Sequence, residues 1–343
     1  MALIRPKAKI VGTVSSGAPA IVSGTKVMED RMEVFILPPL TFLEFLRFRG
    51  SEEKLFVASL NAKKNTGAMT LEPNALPVLN QEFHRYVNFG GFLEGILSDK
   101  DGVPTPAFVR DGVADRVLHK DLASLSGVND TQEINRLFGL LAFNKGREIS
   151  MDDLAKATNI AKNTLRKYLN YLEQAFLISR INRIDRDGKK FQRQVFFKVY
   201  LTGPCLYAAL FAPVPPSYQF FQRLAETALV SQWLGSTAIE NLYYASWRGG
   251  EIDLLTLHPE TGKPDHVYDL DWPNTYVRTE TQPDQIVNFV RENNPDATSY
   301  VLTSTVARSA TMKGINQTLA PVALYSYWIE RDLTLKAFHK PKK

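Results

Sequence analysis

The most regular pattern of apolar and polar positions lies between residues 131 and 204. Apolar residues recur at helical spacing in two segments, 132–146 and 163–178, and a short strand and a capped helix lie between them. A turn at Asp187-Gly188 then separates two strand-like runs, which is a strong hairpin signal. The pattern therefore predicts helix, short strand, helix, tight turn, helix and hairpin.

This order is that of a winged helix-turn-helix, in which the second helix of the pair enters the major groove of DNA. The predicted apolar face of that helix is made of Leu165, Leu169, Leu172 and Phe176. Its polar face, the predicted DNA-binding face, is made of Lys162, Asn163, Arg166, Lys167 and Asn170. Basic residues of the hairpin are predicted to lie along phosphates, and these are Arg183, Arg186, Lys189, Lys190 and Arg193.

Less regular patterns flank this segment. Before it, two short strands and a helix with the capping-box pair Thr41 and Glu44 precede a mostly helical region. After it, the order helix, three strands separated by turns, helix and buried strand indicates a mixed α/β domain. We therefore predict an α/β multidomain protein with four parts: 1–50, 51–130, 131–204 and 205–343.

Composition narrows the class of protein. The chain has 343 residues, of which 44% are hydrophobic and 22% charged, as in globular proteins. No apolar run reaches the roughly 18 residues of a membrane span, and the first residues lack the pattern of a signal peptide. A single cysteine, Cys205, excludes a disulfide framework and a cysteine-based zinc site, and its apolar surroundings predict a core residue. These features predict a cytoplasmic protein without a membrane partner.

Charge is concentrated in one segment. Residues 145–200 contain 13 basic and 6 acidic side chains, whereas the whole chain has a net charge of only +5. A concentrated basic patch is typical of proteins that bind a phosphate backbone, and we expect double-stranded DNA as the partner. The alternative is a solvated face on an ordinary domain.

A group of carboxylates in the last part of the chain could carry chemistry. Glu226, Asp253 and Asp269 are the candidate metal ligands, because carboxylate oxygens suit Mg²⁺ or Mn²⁺. The candidate catalytic residues are Asp253, Asp269 and Asp271, whose spacing resembles the nuclease pattern D…(D/E)-x-K. Asp271 stands where that pattern has lysine, and an aspartate there adds negative charge beside a phosphate. The site is therefore expected to be degenerate, and the alternative is a set of solvent-facing strand-end residues.

No phosphate-binding loop for ATP is present. The pattern G-x-x-x-x-G-K-[ST] lets backbone amides surround phosphates. The nearest string starts at Gly17 and continues to Gly24, Thr25 and Lys26, where the glycines are too far apart and a threonine precedes the lysine. We expect no ATP-binding residues and no independent ATPase activity.

Several stretches together resemble a family of AAA-type ATPases with a C-terminal domain of unknown function (DUF4143). They are KIVGTVSSGAP, PLTFLEFLRFRG, FGGFLEGIL, HKDLASLSGV, the winged-helix core, KVYLTGPCL, AETALVSQWL, GEIDLL and YDLDW, from about residue 8 to 305. The resemblance implies a P-loop ATPase domain followed by a winged helix and a restriction-endonuclease-like domain. It implies that 1–50 is the last part of an ATPase domain whose P-loop half is missing from this sequence.

From these observations we expect a DNA-binding protein that uses a winged helix and carries a degenerate, inactive nuclease-like domain. One alternative is a metal-dependent DNA nuclease of the PD-(D/E)xK type. Another is an interaction or assembly subunit, in which 1–50 mediates self-association or contacts a P-loop ATPase partner.

Overall fold

The computed structural model describes residues 37–60, 67–93, 96, 109–111, 131–191, 195–276 and 284–338. Residues 1–36, with the first predicted strand and most of the second, lie outside this part of the chain, as does Arg193. The helices are α1 (Phe42–Phe48), α2 (Glu52–Leu55), α3 (Leu76–Phe89), α4 (Thr131–Phe143), α5 (Met151–Thr158), α6 (Lys162–Gln174), α7 (Cys205–Leu210), α8 (Phe221–Ser231), α9 (Asp284–Asn293) and α10 (Val322–Phe338). The strands are β1 (Phe56–Leu60), β2 (Gly67–Leu71), β3 (Glu148–Ser150), β4 (Ile178–Ile184), β5 (Phe196–Leu201), β6 (Leu242–Trp247), β7 (Gly250–Leu257), β8 (Pro264–Asp271), β9 (Thr298–Thr303), β10 (Arg308–Met312) and β11 (Ile315–Pro321).

A nine-stranded mixed sheet organises most of the chain, so the predicted α/β class is confirmed at this level. Its strand order is β10-β11-β9-β8-β7-β6-β4-β5-β3. Strand β5 pairs antiparallel with both β3 and β4. Strand β4 pairs parallel with β6, through residues 182–184 and 243–245. The sheet is therefore continuous across residue 204, where the sequence pattern suggested a boundary.

The local signals for helix starts and turns are confirmed. Thr41 and Glu44 form a capping box at the start of α1. Ser150 caps α5, because its hydroxyl oxygen accepts the backbone N–H of Asp153 at 3.0 Å. Gly188 adopts a φ of 74°, a backbone conformation that favours glycine and that lets the chain reverse between β4 and β5. Cys205 is buried, as its apolar surroundings indicated.

Two predictions differ from the structure. The mostly helical interpretation of 51–130 is wrong for the pair β1 and β2, which form an antiparallel two-stranded sheet. Five-residue runs are too short for periodicity to separate strand from helix. Phe176 does not belong to the apolar face of α6, because that helix ends at Gln174 and Phe176 takes a left-handed φ of 53°. Its side chain is consequently 42% exposed.

Two apolar cores hold helices against the sheet. The smaller core packs residues of α9, such as Ile286 and Phe289, against Ile252 and Val267 of β7 and β8. The larger core joins α1, α3, α4, α6, α8 and α10 to the strands. Complete burial of such aliphatic and aromatic side chains contributes about 1.5–3 kcal/mol each. The larger core therefore fixes α6 and α8, the helices that carry candidate site residues.

Asn88, near the end of α3, is a buried polar link to the loop after α7. Its side-chain amide donates to the carbonyl of Val214 at 3.1 Å, and its side-chain oxygen accepts the N–H of Val214 at 2.7 Å. Replacing Asn88 by alanine leaves the buried N–H of Val214 without its partner, while the carbonyl of Val214 keeps its contact with Nε2 of His84 at 2.9 Å. We expect Asn88→Ala to lower the free energy of unfolding by roughly 1–3 kcal/mol.

Urea unfolding followed by circular dichroism measures this loss. The matched control is Gln81→Ala, which removes an exposed amide from the same helix and should change stability by less than about 0.5 kcal/mol. Equal stability of the two variants would show that the Asn88 link does not stabilise the fold.

Candidate nucleic-acid interface and carboxylate cluster

The α6 basic face, defined as Lys162, Asn163, Arg166, Lys167 and Asn170, is exposed along its whole length. The opposite side of the helix is buried, with Leu165, Tyr168, Leu169 and Leu172 in the larger core. The 3.6-residue period of a helix separates the two sets, because residues three and four apart share a face. All five predicted residues of this helix therefore lie together on one accessible surface.

Short polar contacts shape the α6 basic face without covering it. Lys162 forms an ion pair with Asp152 at the start of α5. Arg166 donates to the side-chain oxygen of Asn163 at 2.9 Å. Arg180 of β4 donates to the side-chain oxygen of Asn170, also at 2.9 Å. Exposed pairs of this kind contribute only about 0–1 kcal/mol, so these side chains can exchange their partners for a ligand at little cost.

The basic residues of the hairpin have different surroundings. Arg183 forms an ion pair with Glu148 of β3 at 3.3 Å and lies over the ring of Phe196 at 4.3 Å. Arg186 forms an ion pair with Glu292 of α9 at 3.0 Å. These two guanidinium groups therefore have internal partners within the part of the chain that the structure describes.

The turn of the hairpin packs against the following α/β region. The side chain of Asn293 in α9 donates to the carbonyl of Arg186 at 3.0 Å. A Cβ atom on Gly188 would lie 2.9 Å from the side-chain oxygen of Asn293, so the contact is close. Lys189 and Lys190 remain exposed, and the amine of Lys190 lies 4.7 Å from the ring centre of Tyr243. The hairpin thus offers these two lysines to a ligand more readily than its arginines.

The acidic residues predicted from sequence come from three elements of the α/β region. Glu226 lies on α8, Asp253 on β7 and Asp269 on β8. Strands β7 and β8 are antiparallel, and the N–H of Leu270 donates to the Asp253 carboxylate at 2.9 Å. The structure therefore brings Asp253 and Asp269 side by side.

Asp271 stabilises the turn after β8. Its two carboxylate oxygens accept the backbone N–H groups of Thr275 and Tyr276, at 2.7 and 2.9 Å. The side chain is 3% exposed. Both oxygens thus stabilise the turn after β8, and Asp271 does not act as the missing lysine of the nuclease pattern.

Sequence reasoning missed Lys198, which is the cation of this site. Its side chain is 1% exposed, and its ammonium lies 2.7 Å from Glu251, 3.6 Å from Glu226 and 3.8 Å from Asp253. It also donates to the main-chain oxygen of Asp253 at 3.3 Å. A signal was present, because Lys198 is the only charged residue in the apolar strand Phe196–Leu201, and a buried lysine needs a partner. We call Lys198, Glu226, Glu251, Asp253 and Asp269 the carboxylate cluster.

Burial controls the proton affinities within the carboxylate cluster. Burial raises the pKa of Glu226 to about 7, while the Lys198 ammonium opposes that rise. Burial, and after it the Asp253 carboxylate, raises the pKa of Asp269 well above its usual range. Burial alone would lower the pKa of Lys198, but Glu226, Asp253 and Glu251 together raise it. The surroundings thus favour the charged form of Lys198 and the protonated form of Asp269.

As arranged, these residues do not fit Mg²⁺ or Mn²⁺. A divalent cation needs several ionised oxygen ligands at about 2.0–2.6 Å. The Lys198 ammonium lies among the carboxylates instead, and burial disfavours the ionised form of Asp269. Among the described residues, no group of three or more His, Cys, Asp or Glu side chains is arranged to hold a metal ion.

Comparison with known proteins gives a partial match. Residues 80–216 match a family described as a domain of unknown function (DUF8612). The chain is also 26% identical over 117 residues to an uncharacterized protein of Haemophilus influenzae, an alignment that covers 33% of this chain and 28% of that protein. The α6 basic face and Lys198 lie within residues 80–216, whereas the carboxylates of the cluster lie beyond them.

These matches overturn the resemblance to AAA-type ATPases with DUF4143. The described part of these stretches includes the capped helices α1 and α5 and the hairpin strands β4 and β5, features that unrelated families share for physical reasons. The interpretation of 1–50 as an ATPase remnant, and a P-loop ATPase as a partner, therefore lose their basis. The absence of a membrane span is consistent with the structure, in which none of the described helices is long and apolar enough to cross a bilayer.

Proposed function

We propose that this protein binds double-stranded DNA through the α6 basic face. The observation that carries this proposal is the accessibility of Lys162, Asn163, Arg166, Lys167 and Asn170 on one side of a helix whose other side is anchored in the core. A rigid helix with a basic, amide-bearing face is suited to the major groove, where arginine, lysine and asparagine pair with base edges and phosphates.

The elements around α6 support a winged helix as the carrier of this face. Helices α4, α5 and α6 are followed by β4 and β5, and the adjoining strands lie in the order β3-β5-β4. This is the order expected from the sequence pattern of a winged helix-turn-helix. Residues 145–200 also hold the excess positive charge of the chain, with 13 basic and 6 acidic side chains.

We further propose that the region from α8 to β9 is a nuclease-like domain that does not cleave DNA. Its order, helix α8, antiparallel strands β6 to β8, helix α9 and parallel strand β9, is the order from which a mixed α/β domain was predicted. The nuclease-like interpretation is supported by the spacing of Asp253, Asp269 and Asp271, which resembles the pattern D…(D/E)-x-K. Two features oppose cleavage, because Asp271 is used to hold a turn and Lys198 neutralises the carboxylates.

Fluorescence anisotropy with a labelled DNA duplex tests the binding proposal. The logarithm of the affinity should fall linearly with the logarithm of the salt concentration, with a slope of about −0.9 for each phosphate contact. Absence of binding at about 50 mM salt, where such contacts are strong, would overturn the proposal.

Incubation of plasmid DNA with the protein and Mn²⁺ tests the proposal that the nuclease-like domain does not cleave DNA. We expect the plasmid to remain intact. Cleavage that is lost in Asp253→Ala would instead favour the metal-dependent nuclease.

A further inference from the structure

The Lys198 ammonium lies where oxygen ligands converge. Side-chain oxygens of Glu226, Glu251 and Asp253 lie within 3.8 Å of it, and the main-chain oxygen of Asp253 lies at 3.3 Å. These oxygens come from α8 and β7, while the lysine comes from β5. Four oxygens around a single positive charge resemble the ligand set of a bound metal cation.

The other polar groups of the carboxylate cluster are consistent with such a position. The Tyr200 hydroxyl donates to Glu226 and fixes that carboxylate. The Oδ2 atom of Asp269 is buried and has no hydrogen-bond partner among the described residues. Asp269 itself is 5% exposed and lies against Asp253. Oδ2 of Asp269 is thus an additional buried oxygen next to Asp253, and no described group donates a hydrogen bond to it.

We propose that Lys198 is a built-in substitute for a divalent cation, and that removing its ammonium opens a Mn²⁺ site. This proposal rests on the nuclease-like interpretation of the α/β region and not on DNA binding. Asp253 and Glu251 are 21% and 48% exposed, so a cation can enter from solvent on their side. A bound divalent cation would draw these carboxylates closer than the ammonium does, because divalent cations take oxygen ligands at about 2.0–2.6 Å.

Mn²⁺ binding by isothermal titration calorimetry tests this proposal. We expect Lys198→Ala to bind Mn²⁺ at least about 10-fold more tightly than the natural chain, because a positive charge within 4 Å no longer opposes the ion. Adding Asp253→Asn to Lys198→Ala should abolish the gain. Mn²⁺ should also raise the melting temperature of Lys198→Ala and leave that of the natural chain unchanged.

The matched control is Lys198→Arg, which disturbs packing but keeps the positive charge. It should bind Mn²⁺ no better than the natural chain. Equal Mn²⁺ affinity in Lys198→Ala and Lys198→Arg would overturn the proposal, as would a folded Lys198→Ala that gains no affinity.

Loss of a buried partner could prevent Lys198→Ala from folding, because unpaired carboxylates remain. The variant Lys198→Ala/Glu226→Gln removes one of those charges together with the ammonium and retains Glu251, Asp253 and Asp269. It should still bind Mn²⁺ more tightly than the natural chain, and failure to do so would also overturn the proposal. Whether or not these variants gain Mn²⁺ affinity, the result of the DNA anisotropy assay on the α6 basic face does not change. The proposal about Lys198 and the proposal of DNA binding can therefore fail independently.

Discussion

Replacing Arg166 and Lys167 together by alanine is expected to lower the affinity for duplex DNA by roughly 10- to 100-fold at 0.1 M salt. Each cation that neutralises a phosphate releases a counterion, so the loss of two contacts makes the salt dependence less steep by about 2 in slope. Both side chains are exposed on α6, and the buried face of the helix is untouched. The variant should therefore keep its fold and its melting temperature.

The control for this experiment is Arg308→Ala/Lys313→Ala. It removes the same two residue types from the exposed strand β10 and the turn after it, at the opposite edge of the sheet from β3. Its affinity and salt slope should match those of the natural chain. Equal losses in both double variants would mean that only net charge matters, and α6 would then have no special role.

Replacing Lys145 by methionine is expected to stabilise the protein. Lys145 is fully buried, and its amine lies 3.6 Å from the ring centre of Tyr207 and 3.9 Å from that of Phe220. Burial, with a smaller contribution from Arg223, lowers its pKa to about 6. At pH 7 the amine must give up a proton that it holds in the unfolded chain, at about 1.36 kcal/mol for each unit of pKa. Methionine loses the hydrogen bond that the neutral amine donates to the carbonyl of Ala142 at 3.4 Å, a contact worth about 1 kcal/mol. We therefore expect a net gain of roughly 2–4 kcal/mol.

The lowered pKa of Lys145 also determines how the stability of the natural chain changes with pH. A lysine whose pKa is lower in the folded state makes the unfolded chain the better proton binder, so the stability of the natural chain rises with pH. The rise extends from pH about 6, the folded pKa, to about 10.4, the unfolded pKa. Lys145→Met should lose this slope, and its advantage should vanish near the upper limit.

Urea unfolding at several pH values measures the effect. Lys156→Met, at an exposed position of α5, serves as the control and should follow the profile of the natural chain. A Lys145→Met variant that is less stable than the natural chain at pH 7 would contradict the prediction.

The sequence was sufficient for features that depend on neighbouring residues. Leu165, Leu169 and Leu172 could be assigned to the core because helical periodicity determines the face on which they lie. The position of Phe176 could not be predicted, because the chain leaves α6 through a left-handed conformation at Phe176 itself. That conformation is usually signalled by glycine or asparagine, and neither stands at this position. Helical periodicity also made the exposure of the α6 basic face predictable, because it places that face opposite the buried leucines.

Features that depend on the order of strands could not be predicted. Lys198 meets carboxylates of β7 although β4 and β6 separate β5 from β7 in the sheet. The ion pairs of Arg183 and Arg186 likewise require that the hairpin packs beside β3 and α9. Local pattern identifies a basic residue, but only long-range pairing decides whether it is available to a ligand.

The parallel pairing of β4 with β6 has a consequence for motion. Residues 182–184 and 243–245 are joined by backbone hydrogen bonds, and Arg186 and Asn293 reinforce the junction from the side. A hinge between the α6 basic face and the carboxylate cluster would have to break this ladder. We therefore expect the two surfaces to turn as one body, so that a duplex held by α6 meets the rest of the protein at a single, fixed angle.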